Sequence, residues 1–292
     1  MGREIRVVRG TKTGSTGSSP LPGATAQSME QRFTFNEIAS VYGAARPDYP
    51  EALVDDVVSY AGLKPNDAIL EVGCGTGQAT KSFAARGYSI LAIDPGPEMV
   101  RAAGESLAKF ANVELLETTF EAWPAKQGAF RLIIAAQSWH WVSPEVRFAK
   151  AAEVLWPDGS LAVFGHVPVR LPAPLLEQFK QIYLRHTGHW GPPPEAGYLP
   201  NGPFKGWFDA SGFFGPVEHE SYPWKWHHTA SSYVSLLRTR SYHRMLAPAK
   251  LEELLAEIAE AIDSHGEAFD ADYETHLYMA RRLDLDRVLR TS

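Results

Sequence analysis

The sequence predicts a doubly wound α/β fold with a mostly parallel sheet, an antiparallel last strand and a helical cap in the C-terminal half. Three observations carry this prediction. An apolar run over 68–72 breaks into a glycine-rich turn before a helical pattern, a second apolar strand ends at Asp94, and strands and helices then alternate to about residue 166. Such alternation is typical of a parallel sheet covered by helices on both faces.

The stretch 68–80, AILEVGCGTGQAT, is predicted to form a buried strand, a tight turn and the start of a helix. Gly73, Gly75 and Gly77 occupy alternate positions of the turn. Glycine accepts positive φ there, and without Cβ a ligand can lie directly on the backbone. The free N–H groups of the next helix favour a polar or anionic ligand group. The turn therefore predicts a pocket for a nucleotide-like molecule.

The spacing of the glycines narrows the choice of nucleotide. A dinucleotide fingerprint G-x-G-x-x-G needs glycine where this chain has Gln78, and the GK[ST] ending of a phosphate loop is absent. Asp94 stands seventeen residues beyond Gly77, at the tip of the second strand. Its carboxylate is suited to accept two hydrogen bonds from a ribose diol, the alternative being a helix cap next to Pro95.

The turn E-x-G-x-G-x-G resembles the first motif of the class I S-adenosylmethionine (SAM) dependent methyltransferases. This resemblance implies a Rossmann-like fold and SAM as the cofactor. It also implies the residues that hold the cofactor at the turn and the second strand tip, which are Glu71, Gly73, Cys74, Gly75, Gly77 and Asp94. Cys74 is interpreted as a small, tightly packed residue rather than a reactive thiol.

The segment 35–50 reads F-x-x-x-A-x-x-Y-x-x-x-R-P-x-Y-P and resembles the N-terminal arm of a subgroup of these enzymes. Such an arm implies a lid over cofactor and substrate, with Tyr42 and Arg46 at the cofactor. Arg46 is suited to pair bidentately with a carboxylate of SAM or of the substrate. The alternative is a surface salt bridge.

Three residues near the next strand tips are expected at the adenine. Met99 lies in the first turn of the helix after Asp94, where it is either core or a wall of the adenine site. Relatives commonly carry an aspartate near Thr119, which follows the third strand, 113–117. We therefore expect Thr119 or the backbone at Phe120 to make the adenine contact instead.

The fourth strand ends in AAQSWHW, which resembles the A-Q-x-x-H-W of trans-aconitate methyltransferase-like, type-11 small-molecule enzymes. It does not resemble the [DN]-P-P-[YF] of enzymes that methylate amino groups of nucleic acids. The resemblance implies Gln137 at the cofactor and His140 and Trp141 at the reacting methyl group. His140 is the candidate general base, because a neutral imidazole can take a proton from a hydroxyl. Alternatively it orders the loop or hydrogen-bonds the cofactor.

The composition of the chain limits the kinds of molecule that it is expected to bind. The net charge is −6 with no run of basic residues, which argues against nucleic acid. One cysteine suits a reducing compartment, and no apolar run reaches the ~20 residues of a membrane span. His186 with His189, and His227 with His228, lack the further ligands of a zinc site. We expect a soluble cytoplasmic enzyme without bound metal, a monomer or homodimer, with a small-molecule substrate.

The predicted organisation is a disordered tail over 1–30 and a single domain over 31–292. The domain divides into lid helices (31–62), a cofactor-binding core (66–166), and a substrate cap with the final strands (167–292). The predicted function is methyl transfer from SAM to the oxygen of a carboxylate or hydroxyl. The alternatives are a protein that binds SAM or its demethylated product (SAH) without turnover, and a nicotinamide-dependent oxidoreductase.

Overall fold

A computed structural model describes residues 7–9 and 39–284, and within them eight strands form one sheet. The strands are β1 (Val7–Arg9), β2 (Ala68–Val72), β3 (Ser89–Asp94), β4 (Val113–Glu117), β5 (Phe130–Ala136), β6 (Leu155–Arg170), β7 (Glu218–Thr229) and β8 (Ala268–Arg281). The helices are α1 (Ala39–Ala45), α2 (Glu51–Ala61), α3 (Gln78–Ala84), α4 (Pro97–Ser106), α5 (Arg147–Val154), α6 (Ala173–Thr187), α7 (Phe204–Ser211), α8 (Ala230–Arg238), α9 (Ser241–Arg244) and α10 (Pro248–Gly266).

The strands lie in the order β1-β4-β3-β2-β5-β6-β8-β7. Neighbours from β1 to β6 are parallel, whereas β8 runs antiparallel to both β6 and β7. The mostly parallel sheet with an antiparallel last strand is therefore confirmed. The strand order reverses between β2 and β5, and ligands bind beyond the carboxyl ends of the strands at such a point.

Both faces of the sheet are covered because its central strands are apolar on both sides. Ile69 and Leu132 pack with α2, α3 and α4, whereas the adjacent Leu70 and Ile133 pack with α5 and α7. All four side chains are fully buried. Successive strand residues point to opposite faces, so this pattern is what a doubly wound sheet requires.

The cap lies where the sequence predicted it. Helices α8 to α10 are inserted between β7 and β8, and α8 and α10 share an apolar cluster with α6. Leu254 and Ile258 of α10 are fully buried in that cluster. Burying each of these side chains stabilises the cap by ~1.5–3 kcal/mol.

Three predicted elements differ in the structure. Pro144 and Glu145 favour a helix over 144–156 from the sequence, but this helix begins at Arg147 and ends at Val154, and no sequence pattern predicts α7. The single helix expected near 231–246 is two helices, because α8 ends at Arg238 and the next residues leave helical geometry. There the backbone carbonyl of Thr239 accepts a hydrogen bond from Arg46, a tertiary contact that local sequence does not reveal.

Most of the predicted tail lies outside the described residues. Val7–Arg9, the part that is described, forms β1 in parallel pairing with β4. At these three residues the structure has a strand where the sequence predicted disorder. The start of the lid, 31–38, also lies outside the described residues, and the domain boundaries stay a prediction.

Within residues 7–9 and 39–284, no helix has the length and apolar character needed to cross a bilayer. The same residues contain no group of three or more His, Cys, Asp or Glu side chains arranged to hold a metal ion.

Candidate cofactor and acceptor site

The glycine turn joins β2 to α3 as predicted. Gly73, Gly75 and Gly77 have φ values of 71°, 56° and 91°, a region that side chains with Cβ rarely adopt. A Cβ on Gly73 would lie 2.5 Å from Cβ of Ser138, and one on Gly77 would lie 2.8 Å from a methyl group of Leu107. The first glycine therefore lets β2 and the tip of β5 approach, and the third lets α3 pack against the end of α4.

Asp94 is fixed beside this turn at the tip of β3. Its Oδ2 accepts the N–H of Gly75 at 2.9 Å, and its Oδ1 accepts the N–H of Gly96 at 2.8 Å. Burial raises the pKa of Asp94 to about 6, and the two backbone hydrogen bonds oppose that shift. The carboxylate is therefore ionised at pH 7. The bond to Gly96 orders the turn before α4 but does not cap the helix, whose N-cap residue, Gly96, makes no side-chain capping hydrogen bond.

Glu71, at the end of β2, is buried completely. Thr80 Oγ1 donates a hydrogen bond to its Oε2 at 2.5 Å, and its Oε1 has no hydrogen-bond partner within the described part of the chain. Burial raises the pKa of Glu71 to about 8, the Thr80 hydrogen bond opposes the shift, and the charge of Asp94 adds to it. Glu71 is therefore mostly protonated at pH 7.

Two adjoining cavities lie at the carboxyl ends of β2 to β5. The first has a volume of about 110 Å³. Its predicted wall residues are Tyr42, Gly73, Gly75, Asp94, Met99, Thr119, Phe120, Gln137 and Trp141. The second has a volume of about 40 Å³. Its predicted wall residues are Tyr42, Arg46, Glu71, Gly73, Cys74, Gly75 and Gln137.

The structure thus brings together every predicted cofactor residue except Gly77, which lines neither cavity. Tyr42, Gly73, Gly75 and Gln137 belong to both walls, so the cavities meet at the glycine turn. Sequence reasoning missed further wall residues: Tyr49, Gln78, Gly96, Thr118, Ala136, Ser138 and Val142. Gly96, Thr118 and Ser138 lie within two residues of the end of a strand, and that position is the signal that identifies them.

Arg46 connects the N-terminal arm to the cap. Its Nε donates to Oγ1 of Thr239 at 2.9 Å, and one of its terminal nitrogens donates to the Thr239 carbonyl at 3.0 Å. Its guanidinium also lies 4.9 Å from the ring centre of Tyr42. Its partners among the described residues are thus the cap and an aromatic ring, not a surface acid. Binding of a carboxylate by Arg46 stays a prediction.

The other wall residues are packed into the fold. Met99 is 3% exposed, so it is both a core residue and a wall of the first cavity. Phe120 is buried against Trp139, and Thr119 Oγ1 accepts the N–H of Ala122 at 3.1 Å. Burial raises the pKa of Cys74 well above its ordinary value, which agrees with a packing role rather than a reactive thiolate. The adenine contacts of these residues stay predictions.

Residues Trp139–Trp141 form a 3₁₀ turn after β5. Trp139 is buried, whereas Trp141 is half-buried and lines the first cavity. His140 is exposed and lines neither cavity; its ring centre lies 6.2 Å from that of Tyr198. His140 therefore points to the cap side of the site, not into the cofactor cavities.

The protein atoms around the His140 imidazole reduce its hydration and lower its pKa. The charge of Glu195 opposes this shift and that of Arg147 reinforces it. Because the ring is neutral at pH 7, it retains a nitrogen that can accept a proton. No hydrogen bond of the described residues occupies its nitrogens, so a base role and an ordering role both stay open.

Two cap-side features were not found from the sequence. Arg147, the first residue of α5, is 5% exposed, and its guanidinium lies 4.0 Å from the ring centre of Trp207. Gly165 of β6 makes room for two neighbours, since a Cβ there would lie 2.9 Å from both Gln137 and the ring of Tyr198. Gln137 and Tyr198 therefore lie side by side on β6, one at the cofactor cavities and the other under the cap.

Comparison with known proteins agrees with this geometry. Residues 69–159 match the family model described as "Methyltransferase domain". An uncharacterized methyltransferase of Mycobacterium tuberculosis is 31% identical over 139 residues, which are 48% of this chain and 54% of that protein. The demethylmenaquinone methyltransferase of Tropheryma whipplei is 30% identical over 167 residues, covering 54% of this chain and 66% of that protein. The chain thus spans about half to two thirds of the length of these relatives.

Solved structures share the fold. A putative type II methyltransferase from Anaeromyxobacter dehalogenans superposes with a TM-score of 0.55 and 20% identity, over 81% of this chain and 97% of that one. The YcgJ protein of Bacillus subtilis gives a TM-score of 0.51 and 16% identity, over 80% of this chain and 100% of that one. At these identities the two structures support the fold alone.

The fold, the glycine turn and the methyltransferase-domain match over residues 69–159 support a SAM-dependent methyltransferase, with SAM as the cofactor. The cavity walls fit this cofactor, because Asp94 presents a carboxylate at the first cavity and the buried Oε1 of Glu71, at the second, lacks a partner among the described residues. The predicted class and cofactor are therefore confirmed. The trans-aconitate-like subgroup is not confirmed by these matches.

Proposed function

We propose that the chain transfers a methyl group from SAM to an oxygen atom of a small-molecule acceptor. The observation that carries the proposal is the pair of cavities that meet at the glycine turn, one walled by Asp94 and the other by Glu71. Together they offer an elongated site with a polar group at each end. One relative, the Tropheryma whipplei enzyme, is named for a small-molecule acceptor, demethylmenaquinone.

The first cavity is suited to the adenosine of the cofactor. The ionised carboxylate of Asp94 accepts hydrogen bonds from the ribose hydroxyls, since a carboxylate has more acceptor sites than its two backbone bonds occupy. Met99 and Phe120 supply an apolar wall for the adenine ring. Thr119 lies at the same wall with a hydroxyl group.

The second cavity is suited to the amino-acid part of the cofactor. The partnerless Oε1 of Glu71 faces an otherwise buried space, where an ammonium group would supply the missing donor. Arg46 lines the same cavity and carries the opposite charge for the carboxylate. Tyr42 and Gln137 stand at the junction with the first cavity.

When bound, SAM supplies a methyl group already activated by its sulfonium charge. The residues of the chain then mainly have to align the acceptor, and alignment alone can contribute ~7 kcal/mol or more to lowering a barrier. Trp141 lines the first cavity, and its neighbour His140 stands under the cap with a neutral imidazole. His140 is the candidate base for a hydroxyl acceptor, whereas a carboxylate acceptor needs no base.

The test begins with calorimetric titration of the chain with SAM and SAH. We expect saturable binding of both. Radiolabelled SAM is then incubated with a panel of alcohols, phenols and carboxylic acids, and we expect label in the product of at least one. Binding without transfer to any acceptor would favour a SAM- or SAH-binding protein. Binding of NADH in place of SAM would favour the oxidoreductase alternative.

A further inference from the structure

A buried ion pair lies in the cap beside the proposed acceptor site. Arg240, between α8 and α9, is 7% exposed, and the Glu195 side chain in the 3₁₀ turn Pro194–Tyr198 is 14% exposed. Arg240 Nε lies 3.6 Å from Glu195 Oε1, within reach of charge attraction but too far for a hydrogen bond. One terminal nitrogen of Arg240 donates to the hydroxyl of Tyr242 at 2.6 Å.

The pair keeps unused hydrogen-bonding capacity in a buried place. Arg240 Nε and the second carboxylate oxygen of Glu195, Oε2, have no hydrogen-bond partner among the described residues. The buried hydroxyl of Tyr198, three residues beyond Glu195, also has none. Buried polar atoms are nearly always satisfied in folded proteins. A donor and acceptors without partners in one region therefore indicate a place that a ligand completes.

The pair lies on the cap side of the cofactor cavities, near His140. The Tyr198 ring is near His140 on one side, at 6.2 Å between centres, and packs over Gly165 beside Gln137 on the other. Gln137 walls both cofactor cavities. The charge of Glu195 also acts on the His140 imidazole. Glu195 is therefore close enough to His140 to influence it, and Trp141, the neighbour of His140, lines the first cavity.

The charges of Glu195 and Arg240 determine which chemical groups of a ligand can bind to the pair. The Glu195 carboxylate and the Arg240 guanidinium sum to zero, so they do not attract a ligand for its net charge. A ligand carboxylate would accept from Arg240 but would meet Glu195 Oε2 with like charge and no proton to donate. A hydroxyl donates to Glu195 Oε2 and accepts from Arg240 Nε, and so satisfies both atoms.

We propose that Glu195 and Arg240 recognise an uncharged hydroxyl group of the acceptor, which makes the enzyme selective for alcohols or phenols over carboxylic acids. This inference rests on the proposed function, since it assigns the acceptor class of the same site. Glu195 and Arg240 act here as specificity residues, and the identity of the base is a separate question.

Arg147 is the structural feature that favours the opposite class. Its guanidinium is nearly buried and stacked on Trp207, with no ion pair among the described residues. A carboxylate acceptor would bind there rather than at the neutral pair. The experiment therefore has to separate recognition by Glu195 from recognition by Arg147.

The experiment compares matched acceptor pairs, such as benzyl alcohol with benzoate and cinnamyl alcohol with cinnamate. Transfer from radiolabelled SAM gives kcat/KM, and calorimetry on the SAH complex gives acceptor binding. The variants are Glu195→Gln, Glu195→Asp, Arg147→Met and the control Glu177→Gln, whose exposed carboxylate lies on α6. Thermal melting and SAH affinity establish that each variant folds and binds the cofactor.

We expect the wild-type chain to prefer the alcohols. Glu195→Gln should lower kcat/KM for alcohols by about 10–100-fold, because a hydrogen bond to a charged acceptor is lost. The ratio of carboxylate to alcohol activity should rise, since the pair becomes net positive. Glu195→Asp should restore part of the preference, and Glu177→Gln should leave it unchanged, with SAH affinity constant throughout.

Three results would overturn the inference. The first is a wild-type preference for carboxylates that is lost in Arg147→Met. The second is an alcohol preference that Glu195→Gln does not change. The third is a chain that binds SAH but neither binds nor methylates any alcohol. If the wild-type chain binds neither SAM nor SAH, the proposed function itself fails, and that outcome is visible before any acceptor is added.

Discussion

Two acidic residues, Asp94 at the cofactor side and Glu195 in the cap, are held in different ways. Both oxygens of Asp94 accept backbone N–H groups at 2.8–2.9 Å. Glu195 has one oxygen 3.6 Å from Arg240 and the other without a hydrogen-bond partner in the described chain. The backbone thus fixes the cofactor-side acid, whereas the cap-side acid depends on side chains and on whatever fills the space beside it.

Burial has opposite effects on the ionisable groups of these two regions. At the cofactor side it raises the pKa of Asp94 to about 6 and that of Glu71 to about 8. In the cap it lowers the pKa of His228 to about 4 and that of His243 to about 3, and the nearby charge of Arg240 adds to both shifts. The acids of one region and the imidazoles of the other are both shifted toward the neutral form, as desolvation requires. Asp94 is the exception that stays ionised at pH 7, which suits it to bind hydroxyl groups.

If the backbone holds the cofactor side in its binding conformation, a substitution in the glycine turn should have the largest effect on cofactor affinity. We expect Gly73→Ala to lower the affinity for SAH by about 100-fold and to destabilise the fold by roughly 2–4 kcal/mol. The reason is that its φ is 71° and the new Cβ would lie 2.5 Å from Ser138. Calorimetry and thermal melting measure the two effects.

Gly87→Ala is the matched control. Gly87 also has a positive φ, 86°, but a Cβ there meets nothing within 4 Å. We expect a loss of only ~1–2 kcal/mol in stability and unchanged SAH affinity. Equal losses of affinity in the two variants would mean that backbone strain, not the close approach of β2 and β5, shapes the cofactor site.

The next largest effect tests whether a residue on the cap side, His140, takes part in methyl transfer. If His140 is the base for a hydroxyl acceptor, His140→Ala should lower kcat by about 100-fold without changing the affinity for SAM. The exposed His189 supplies the control variant His189→Ala, which should keep full activity. The measurement is a pH profile of turnover at saturating acceptor. Retention of most turnover by His140→Ala would leave His140 with a loop-ordering role.

A smaller effect tests the charge of Asp94. Asp94→Asn should lower SAH affinity by about tenfold, because the amide accepts ribose hydrogen bonds more weakly than the carboxylate does. The wild-type affinity should also fall as pH drops below about 6, where the Asp94 carboxylate becomes protonated. Titration at pH 5 and 7.5 measures this, and Asp94→Asn should lose much of the pH dependence.

The control for that experiment is Glu117→Gln. Glu117 pairs with Asp94 in the neighbouring strand but lines neither cavity. Its replacement should leave both the affinity and its pH dependence unchanged. An equal response of the two variants would show a general effect of negative charge at this edge rather than a ribose contact.

Sequence reasoning predicted the cofactor side well because its signals are local. The strand 68–72, the turn at Gly73–Gly77 and the strand tip at Asp94 are each set by neighbouring residues, and the structure has them where the sequence placed them. Gly77 shows the limit of that reasoning. Its conformation was predicted, but the space that its missing Cβ leaves is filled by Leu107.

The cap side was less predictable because its contacts join distant residues. Glu195 lies in an irregular Gly/Pro-rich stretch, and Arg240 lies at a helix break that depends on Thr239 and Arg46. No periodicity links these positions, so the pair could not be found without the fold. His140 was found through the resemblance of its motif, but its place outside the cofactor cavities depends on how the 3₁₀ turn packs under Tyr198.

The smallest expected effect concerns the pH dependence of stability and comes from Glu71. Its pKa is about 8 in the folded chain and near 4.5 without burial, so the folded state holds a proton that the unfolded state releases over this range. The stability that this proton contributes is complete below about pH 4.5 and is lost as pH rises towards 8.

The variant Glu71→Gln tests this pH dependence, because glutamine mimics the protonated acid and cannot lose the proton. From pH 6 to pH 8 the free energy of unfolding of the wild type should decrease. We expect this decrease to be smaller by about 1–2 kcal/mol in the variant. Glu114→Gln, at an exposed position of β4, is the control. Parallel curves for all three proteins would show that Glu71 is ionised in the folded chain, and the ammonium group proposed as its partner would then meet a full negative charge.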